Sequence, residues 1–436
     1  MKRSLQETHK TIHMKIVHLI VLTITVFSLS AKDWNQWRGP NRDGVVEGKK
    51  WPSALKESNL KLRWRLKLGS SYSGALMDSN TVYVTESTEG NKLDVVQALD
   101  RATGKVKWKH QWPGTGSWRV TFPGRVNGSW IRSTPALANG KLFVAGMHGN
   151  LICLNSKDGK KVWEINFPKK FNGSIPGFGC VCSPMVEGKY VYMEAGGSFF
   201  KLEQETGKII WRTMKNEGGL ERGGFSSPVF ATLNGKRKIL LQARTELTGI
   251  DIESGAVLWR QPVKSFRGMN ILTPLPYDNG VYTGSYRYGA FFYEINQKEN
   301  AWASREKWKL GSKASAYMSS PVLFEGHAYL LVQDGNFACY NLKDGKECWR
   351  SKQNFGASSR HGKYMTLVRQ GDRILALDQS GGLHLIKATP EKFQLIDTIK
   401  VSKQQTWAHL AVSGNEIAIR ELNGIALFDW SPIPIP

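Results

Sequence analysis

The sequence predicts an all-β fold, an eight-bladed β-propeller of four-stranded antiparallel blades, and three recurrences predict it. Trp64, Trp108, Trp163, Trp211, Trp259, Trp308 and Trp349 follow one another at intervals of 44, 55, 48, 48, 49 and 41 residues. A turn phrase precedes most of them, as in Ala98-Leu99-Asp100-Arg101-Ala102-Thr103-Gly104-Lys105 before Trp108 and Cys153-Leu154-Asn155-Ser156-Lys157-Asp158-Gly159-Lys160 before Trp163. Thr134-Pro135, Ser183-Pro184, Ser227-Pro228, Thr273-Pro274 and Ser320-Pro321 recur in phase with it. A period in the forties with alternating apolar positions holds four short strands, which is one propeller blade.

Taken in order, the chain opens on residues 1–31, expected to be a secretory signal. Lys10 and Lys15 precede an apolar run from Ile16 to Leu29, and Ser30-Ala31 offers small residues at a cleavage point. Such a run is short for the roughly 30 Å of a bilayer's hydrocarbon, so cleavage after Ala31 is expected rather than an anchor. Met14 is an alternative start, and no cysteine follows the run to carry a lipid there. The mature protein is thus expected to be exported, periplasmic or extracellular. Residues 32–60 form an N-terminal arm, and 61–436 form the propeller.

Within the propeller, Lys61 to Leu66 reads as an outer strand with no blade before it. Six units close at Trp108, Trp163, Trp211, Trp259, Trp308 and Trp349, and the turn of the fifth has drifted from the pattern. A degenerate seventh runs from Tyr364 to Val401 with strands at Arg373–Asp378, Leu383–Ile386 and Gln394–Lys400. The eighth has strands near His409–Val412, Glu416–Arg420 and Ile425–Trp430, and lacks a fourth. The orphan strand is expected to supply it, closing the ring and leaving no open edge. In each phrase glycine takes the positive φ of the tight turn, and proline, lacking a donor, opens the innermost strand. The small residue at Ala98 admits the neighbouring blade, and the tryptophan covers that neighbour and offers its N–H to a carbonyl. Repetition makes these Asp and Trp residues structural.

No catalytic residue is expected. The mature histidines, His110, His148, His327, His361, His384 and His409, show no metal-ligand spacing, and neither a phosphate loop nor a nucleophile elbow is present. Five cysteines, Cys153, Cys180, Cys182, Cys339 and Cys348, leave at least one unpaired within a chain. Cys339 and Cys348 flank the Lys343-Asp344-Gly345 turn and are the expected disulfide, while Cys180 and Cys182 are expected as buried or channel-facing thiols.

Charge points to a partner. The formal net charge is +24, and its placement is uneven. The connections from each outer strand to the next inner strand lie on one face of a propeller. Those connections, residues 109–132, 164–180, 212–225, 260–271, 309–318, 350–364 and 400–407, hold 20 cations against 3 carboxylates. Elsewhere 40 cations meet 33 carboxylates, so the excess belongs to that face. Trp118, Phe122, Trp130, Phe178, Phe225, Phe266, Tyr317, Tyr364 and Trp407 are interleaved with it. Such a face attracts anions. The cations just ahead of the inner strands, Arg132, Arg222, Arg267, Arg360 and Lys363, are expected to ring the channel mouth with Trp130 and Trp407, and His361 adds charge at mildly acid pH. The expected partner is an anionic polymer such as an acidic or sulfated glycan, an acidic protein surface, or lipid headgroups. Nucleic acid suits the charge but not an exported location. An envelope association and a monomeric state are expected.

The recurring Ala-Leu-Asp-x-x-Thr-Gly-Lys-x-x-Trp phrase resembles the pyrroloquinoline-quinone-like (PQQ-like) propeller repeat over nearly the whole mature chain. The arm Trp34-Asn35-Gln36-Trp37-Arg38-Gly39-Pro40-Asn41-Arg42-Asp43-Gly44 resembles the opening of a large group of exported bacterial proteins without an assigned reaction. Two branches share that fold: quinone-dependent alcohol dehydrogenases and BamB-like lipoproteins that assist outer-membrane protein assembly. The dehydrogenase branch implies a quinone beneath a disulfide of adjacent cysteines, with calcium and an aspartate beside it. This chain departs from that pattern, because Val181 separates Cys180 from Cys182. The BamB-like branch fits the length better but implies a lipid-bearing cysteine that is absent here. The expected function is therefore a non-catalytic binding scaffold with no cofactor. The alternatives are a PQQ- and calcium-dependent oxidoreductase and a BamB-like assembly factor.

Overall fold

The structure is a computed structural model that describes residues 33–116, 128–173, 175–215, 224–316, 318–355 and 364–432. Its 32 strands form eight four-stranded sheets in which neighbours pair antiparallel. Seven sheets are sequential hairpins, from β2 (Leu76–Met77) to β5 (Val106–Pro113) in blade one, through to β26 (Met365–Gln370) to β29 (Leu395–Lys400) in blade seven. The eighth joins β30 (Ala411–Ser413), β31 (Glu416–Glu421) and β32 (Gly424–Trp430) to β1 (Leu60–Lys67). Leu60 pairs with Trp430 and Lys67 with Gly424, so the first strand closes the ring on the last, as expected.

The tryptophan and turn glycine of the repeat prove to be two halves of one contact between blades. Trp108 sends its Nε1–H to Ser156 O at 3.0 Å, Trp163 to Gln204 O at 2.8 Å and Trp308 to Leu342 O at 2.9 Å, each in the following blade. Its ring fills the space beneath that blade's turn. Gly159 has φ +72°, and a Cβ there would stand 2.4 Å from the Trp108 ring, so both backbone and space demand glycine. Trp259 is the exception. The drifted turn of blade five is a hairpin of two ten-residue strands, β20 (Gly289–Lys298) and β21 (Ala301–Leu310), and the buried Trp259 Nε1 finds no acceptor.

The Ser/Thr-Pro motif has a role beyond opening strands. The hydroxyl oxygens of Thr134, Ser183, Ser227 and Ser320 each accept from a backbone N–H of the blade before. Gly74 donates to Thr134 Oγ1, Thr134 to Ser183 Oγ and Ser183 to Ser227 Oγ, each at 3.0 Å. Buried donors must be met, and this arrangement meets them across the seams around the channel.

The arm is an integral part of the ring. Its segment 34–46 touches the inner part of every blade. Trp34 bridges to Met77 of blade one, Asn35 exchanges bonds with Leu137 of blade two, and the Gln36 side-chain Oε1 accepts from Val186 N–H of blade three. The Arg42 guanidinium donates to Pro228 O of blade four at 2.7 Å, and also to Pro184 O at 2.8 Å and Ser183 O at 3.2 Å. Trp37 Nε1–H donates to Thr273 Oγ1 of blade five, and Arg38 to Pro321 O of blade six. Gly44 and Val46 pair with Arg369 of blade seven, and Trp37 meets the His409 ring of blade eight edge-on at 5.0 Å. Arg38 and Arg42 are 0% and 1% exposed. Burial lowers both guanidinium pKa values, Arg42's to about 9, yet their geometry lets them cap carbonyls that the sheet ladders leave open.

The five cysteines are free thiols. Cys339 on β24 (Asn336–Asn341) and Cys348 on β25 (Glu347–Asn354) adjoin at a bulge, since Cys339 pairs with Trp349 and Tyr340 with Glu347. Burial and the neighbouring Cys348 thiol push the Cys339 thiol up. Cys180 and Cys182 are buried, and burial raises both thiols.

Candidate functional site

Of the residues expected at the channel mouth, Arg222, Arg360, His361 and Lys363 lie outside the described residues, as do Trp118, Phe122 and Tyr317 of the interleaved aromatics. Trp130, Arg132 and Trp407 are brought together. Tyr72 lies between them, 5.5 Å from Trp130 edge-on and 5.6 Å from Trp407, with the Arg132 guanidinium 5.3 Å above its ring. Trp407 stacks on Tyr364 at 5.3 Å and 13°. Arg132 Nη2 donates to Gly128 O at 2.8 Å, and burial lowers its pKa. All three predicted residues are half-buried, and the cluster ties together the connections that lead into neighbouring blades.

Arg267 stands elsewhere on the face, at the seam of blades four and five, and the structure shows what it joins. The connection from β17 (Val257–Pro262) to β18 (Leu275–Tyr277) meets the turn between β19 (Gly280–Ser285) and β20. Arg267 and Arg287, one from each, place their guanidinium groups 5.2 and 4.3 Å from the Phe266 ring. Arg287 also lies 5.3 Å from the Tyr286 ring, and Lys264 lies 5.0 Å from that of Tyr288. Both arginines are exposed and hold φ of 54° and 67°, left-handed values uncommon for long side chains. The Arg267 carbonyl accepts from Arg244 Nη2 at 2.7 Å, which fixes the turn. Among the described residues, Lys264, Arg267 and Arg287 pair with no carboxylate. Contact with aromatic faces offsets part of their mutual repulsion, and the remaining positive potential favours anions.

Beside this cluster, between blades three and four, is a cavity of about 330 Å³. Glu194, Ser198, Lys215, Arg244, Thr245 and Arg260 line it, over an apolar floor of Met214 and Leu241. Glu194 is the penultimate residue of β11 (Tyr190–Ala195) and is buried. Its Oε1 accepts from Gly224 N–H, and its Oε2 has no partner. Desolvation pushes its pKa up to about 7, against the lowering pull of the Gly224 bond and Arg244. Burial of an acceptor without a partner is unfavourable, and the carboxyl answers by holding its proton.

The cation excess on this face is smaller than the sequence count suggests. The turns between second and third strands reach the same face, and that count leaves them out. They bring Glu246 to Arg260 at 2.5 Å and Asp334 to Arg350 at 2.7 Å, which neutralises both arginines. The same turns supply Arg244 and Arg287, which the connections alone could not reveal. Arginine within a strand-linking turn is the sequence signal that would have found them. Other titratable groups serve the fold. The buried His384 Nε2 meets Asp378 Oδ2 at 2.9 Å, and Asp378 in turn accepts from the Gly382 N–H and the Ser380 hydroxyl.

Known proteins carry the same architecture. The chain is similar to the outer membrane protein assembly factor BamB of Yersinia pestis, 24% identical over 296 residues, which are 64% of this chain and 72% of that protein. Among solved structures, BamB from Moraxella catarrhalis superposes with a TM-score of 0.57 at 15% identity, covering 85% of this chain and 97% of that one. Quinohemoprotein alcohol dehydrogenase from Comamonas testosteroni superposes at 0.65 with 14% identity, covering 93% and 82%. At such identities the superpositions establish the fold alone. The family model described as outer membrane protein assembly factor BamB matches residues 45–117 and 112–351, most of the propeller, and the chain belongs to that family of PQQ-like propellers.

Proposed function

We propose that this protein is an exported, non-catalytic recognition scaffold whose loop face binds an acidic polysaccharide. The observation that carries the reading is the convergence of Lys264, Arg267 and Arg287 on Phe266 and Tyr288 without a carboxylate among the described residues. Exposed cations held over aromatic rings suit an anionic polymer that brings both charge and apolar sugar faces. Export rests on the N-terminal pattern of residues 1–31. The described residues contain no helix long and apolar enough to cross a membrane.

The residues present do not fit a quinone held with calcium. Cys180 and Cys182 are buried thiols separated by Val181, and no three His, Cys, Asp or Glu side chains converge to hold an ion among the described residues. A second reading, a part in outer-membrane protein assembly, is favoured by the name its relatives carry. It requires a protein partner on the same face.

The test is elution from a heparin column by a salt gradient. Wild type should be retained and then released as the Debye length falls from about 10 Å at 0.1 M towards 3 Å at 1 M. The combined variant Lys264→Ala, Arg267→Ala, Arg287→Ala should elute at clearly lower salt. Elution of both at one salt concentration would remove this seam from the binding face.

A further inference from the structure

We infer that the groove between the outer strands of blades two and three docks an extended peptide in which an apolar residue lies between two carboxylates. The inference goes beyond the polysaccharide reading and does not depend on it. The groove has a volume of about 570 Å³. Its walls are β9 (Lys161–Asn166), the helix α1 (Phe167–Lys170) with Phe171 after it, and β13 (Ile209–Thr213) with the turn before it. Trp163, Ile165, Phe171 and Ile209 give it a half-buried apolar floor. The Trp163 Nε1–H already donates to Gln204 O at 2.8 Å, so the floor offers no polar side-chain atom to the hydroxyls of a sugar. Among the described residues four large apolar side chains are exposed, and two of them, Val162 and Ile210, stand on the strands that wall this groove. Apolar surface gathered at one seam and rimmed by charge marks a protein-binding site.

Charge fixes the chemistry of the occupant. The exposed Lys208 stands in the turn that leads into β13, and Arg212 lies four residues further along. The Arg212 guanidinium is 4.2 Å from the ring of Phe171, next to the exposed Lys170. At about 3.3 Å per residue, these two cationic ends are roughly 13 Å apart, with the apolar floor between them. Among the described residues, Lys170, Lys208 and Arg212 pair with no carboxylate, and the lining Glu164 is held by Lys161 at 2.9 Å. An amphiphile with a single anionic head answers only one end. In an extended chain the side chains at i, i+2 and i+4 share one face, and i to i+4 spans the same roughly 13 Å. A Glu-x-Phe-x-Glu segment therefore sets its ring on the floor and a carboxylate at each end.

The experiment is fluorescence anisotropy of a dye-labelled, C-terminally amidated Glu-Ala-Phe-Ala-Glu peptide titrated with the full mature protein. It should bind at least tenfold tighter than Gln-Ala-Phe-Ala-Gln, which lacks the charges, and than Glu-Ala-Ala-Ala-Glu, which lacks the anchor. The combined variant Lys170→Glu, Lys208→Glu changes two exposed positions. It should weaken the acidic peptide at least tenfold and gain affinity for Lys-Ala-Phe-Ala-Lys. The comparison of the peptides on wild type carries the test if the variant does not fold. Equal affinity for the glutamine peptide, or an acidic peptide bound equally by wild type and folded variant, would overturn the inference. Displacement of the acidic peptide by an equimolar heparin hexasaccharide would give the groove to the polymer and overturn it too. Retention on the heparin column is read separately, so failure of the polysaccharide reading leaves this result standing.

Discussion

Glu194 gives the loop face a stability term that depends on pH with a definite sign. Its carboxyl titrates near 4.5 when solvated and is pushed up to about 7 in the fold, chiefly by desolvation. Between those values the native state keeps a proton that the unfolded chain has released. Stability should therefore be highest below pH 4.5, fall as pH rises through 7, and level off above it. At about 1.4 kcal/mol per pH unit, the displacement is worth roughly 3 kcal/mol. Glu194→Gln preserves an oxygen for the Gly224 N–H and removes the ionisation. Urea denaturation at a series of pH values from 4.5 to 8 should show the wild-type midpoint falling more steeply than that of the variant, which becomes the more stable of the two at pH 8 relative to their difference at pH 4.5. If the two curves stay parallel across the window, the carboxyl ionises in the fold as it does in water, and desolvation does not govern it.

Two further outcomes follow from the arm and the thiols. Arg42→Lys keeps the charge buried but cannot span Pro184 O and Pro228 O with one ammonium, so at least two charge-assisted bonds are lost. A loss of about 3 kcal/mol in urea unfolding is expected, and a loss below about 1 kcal/mol would show that the arm's guanidinium is not a tie between blades. Mild oxidation of the folded protein should link Cys339 to Cys348, read as a joined peptide in mass spectrometry with two hydrogens lost, because the pair adjoins at the β24–β25 bulge. Alkylation of the half-buried Cys348 with no such linked peptide would refute the pairing.

The ring was legible because most blades solve the same problem with the same residues. In five blades the tryptophan packs beneath a turn glycine of the next, as Trp108 does beneath Gly159, and the recurrence of such pairs sets the repeat. The missing strand of blade eight could be read because an orphan strand at the other end answers it, and Leu60–Lys67 fills that place. The arm could not be read in this way. Its contacts with eight blades are each different, and nothing in Trp34 to Gly44 repeats elsewhere. Nor could the charge of the loop face be settled by counting the long connections. Glu246 and Asp334 arrive from short turns that share the face only because strands alternate direction.

The seam between blades four and five shows why departures from the repeat are informative. Along the outer strands Trp259 lacks the carbonyl that its counterparts in the other blades use, because the next turn has drifted into a long hairpin. On the loop face of the same seam, Arg267 and Arg287 hold left-handed φ values and leave their charges unanswered by carboxylates. Neither feature aids the packing that the tryptophan and turn glycine give to the other repeats. Selection for stability alone would favour a turn glycine beneath Trp259 and carboxylates beside the arginines, both available elsewhere in this chain. Departures from local rules without a packing gain are expected where function is served, and the proposed binding face includes this one. The proposed binding seam is thus one that the repeat fails to describe, and the heparin elution of the Lys264, Arg267 and Arg287 variant tests whether a ligand is held there.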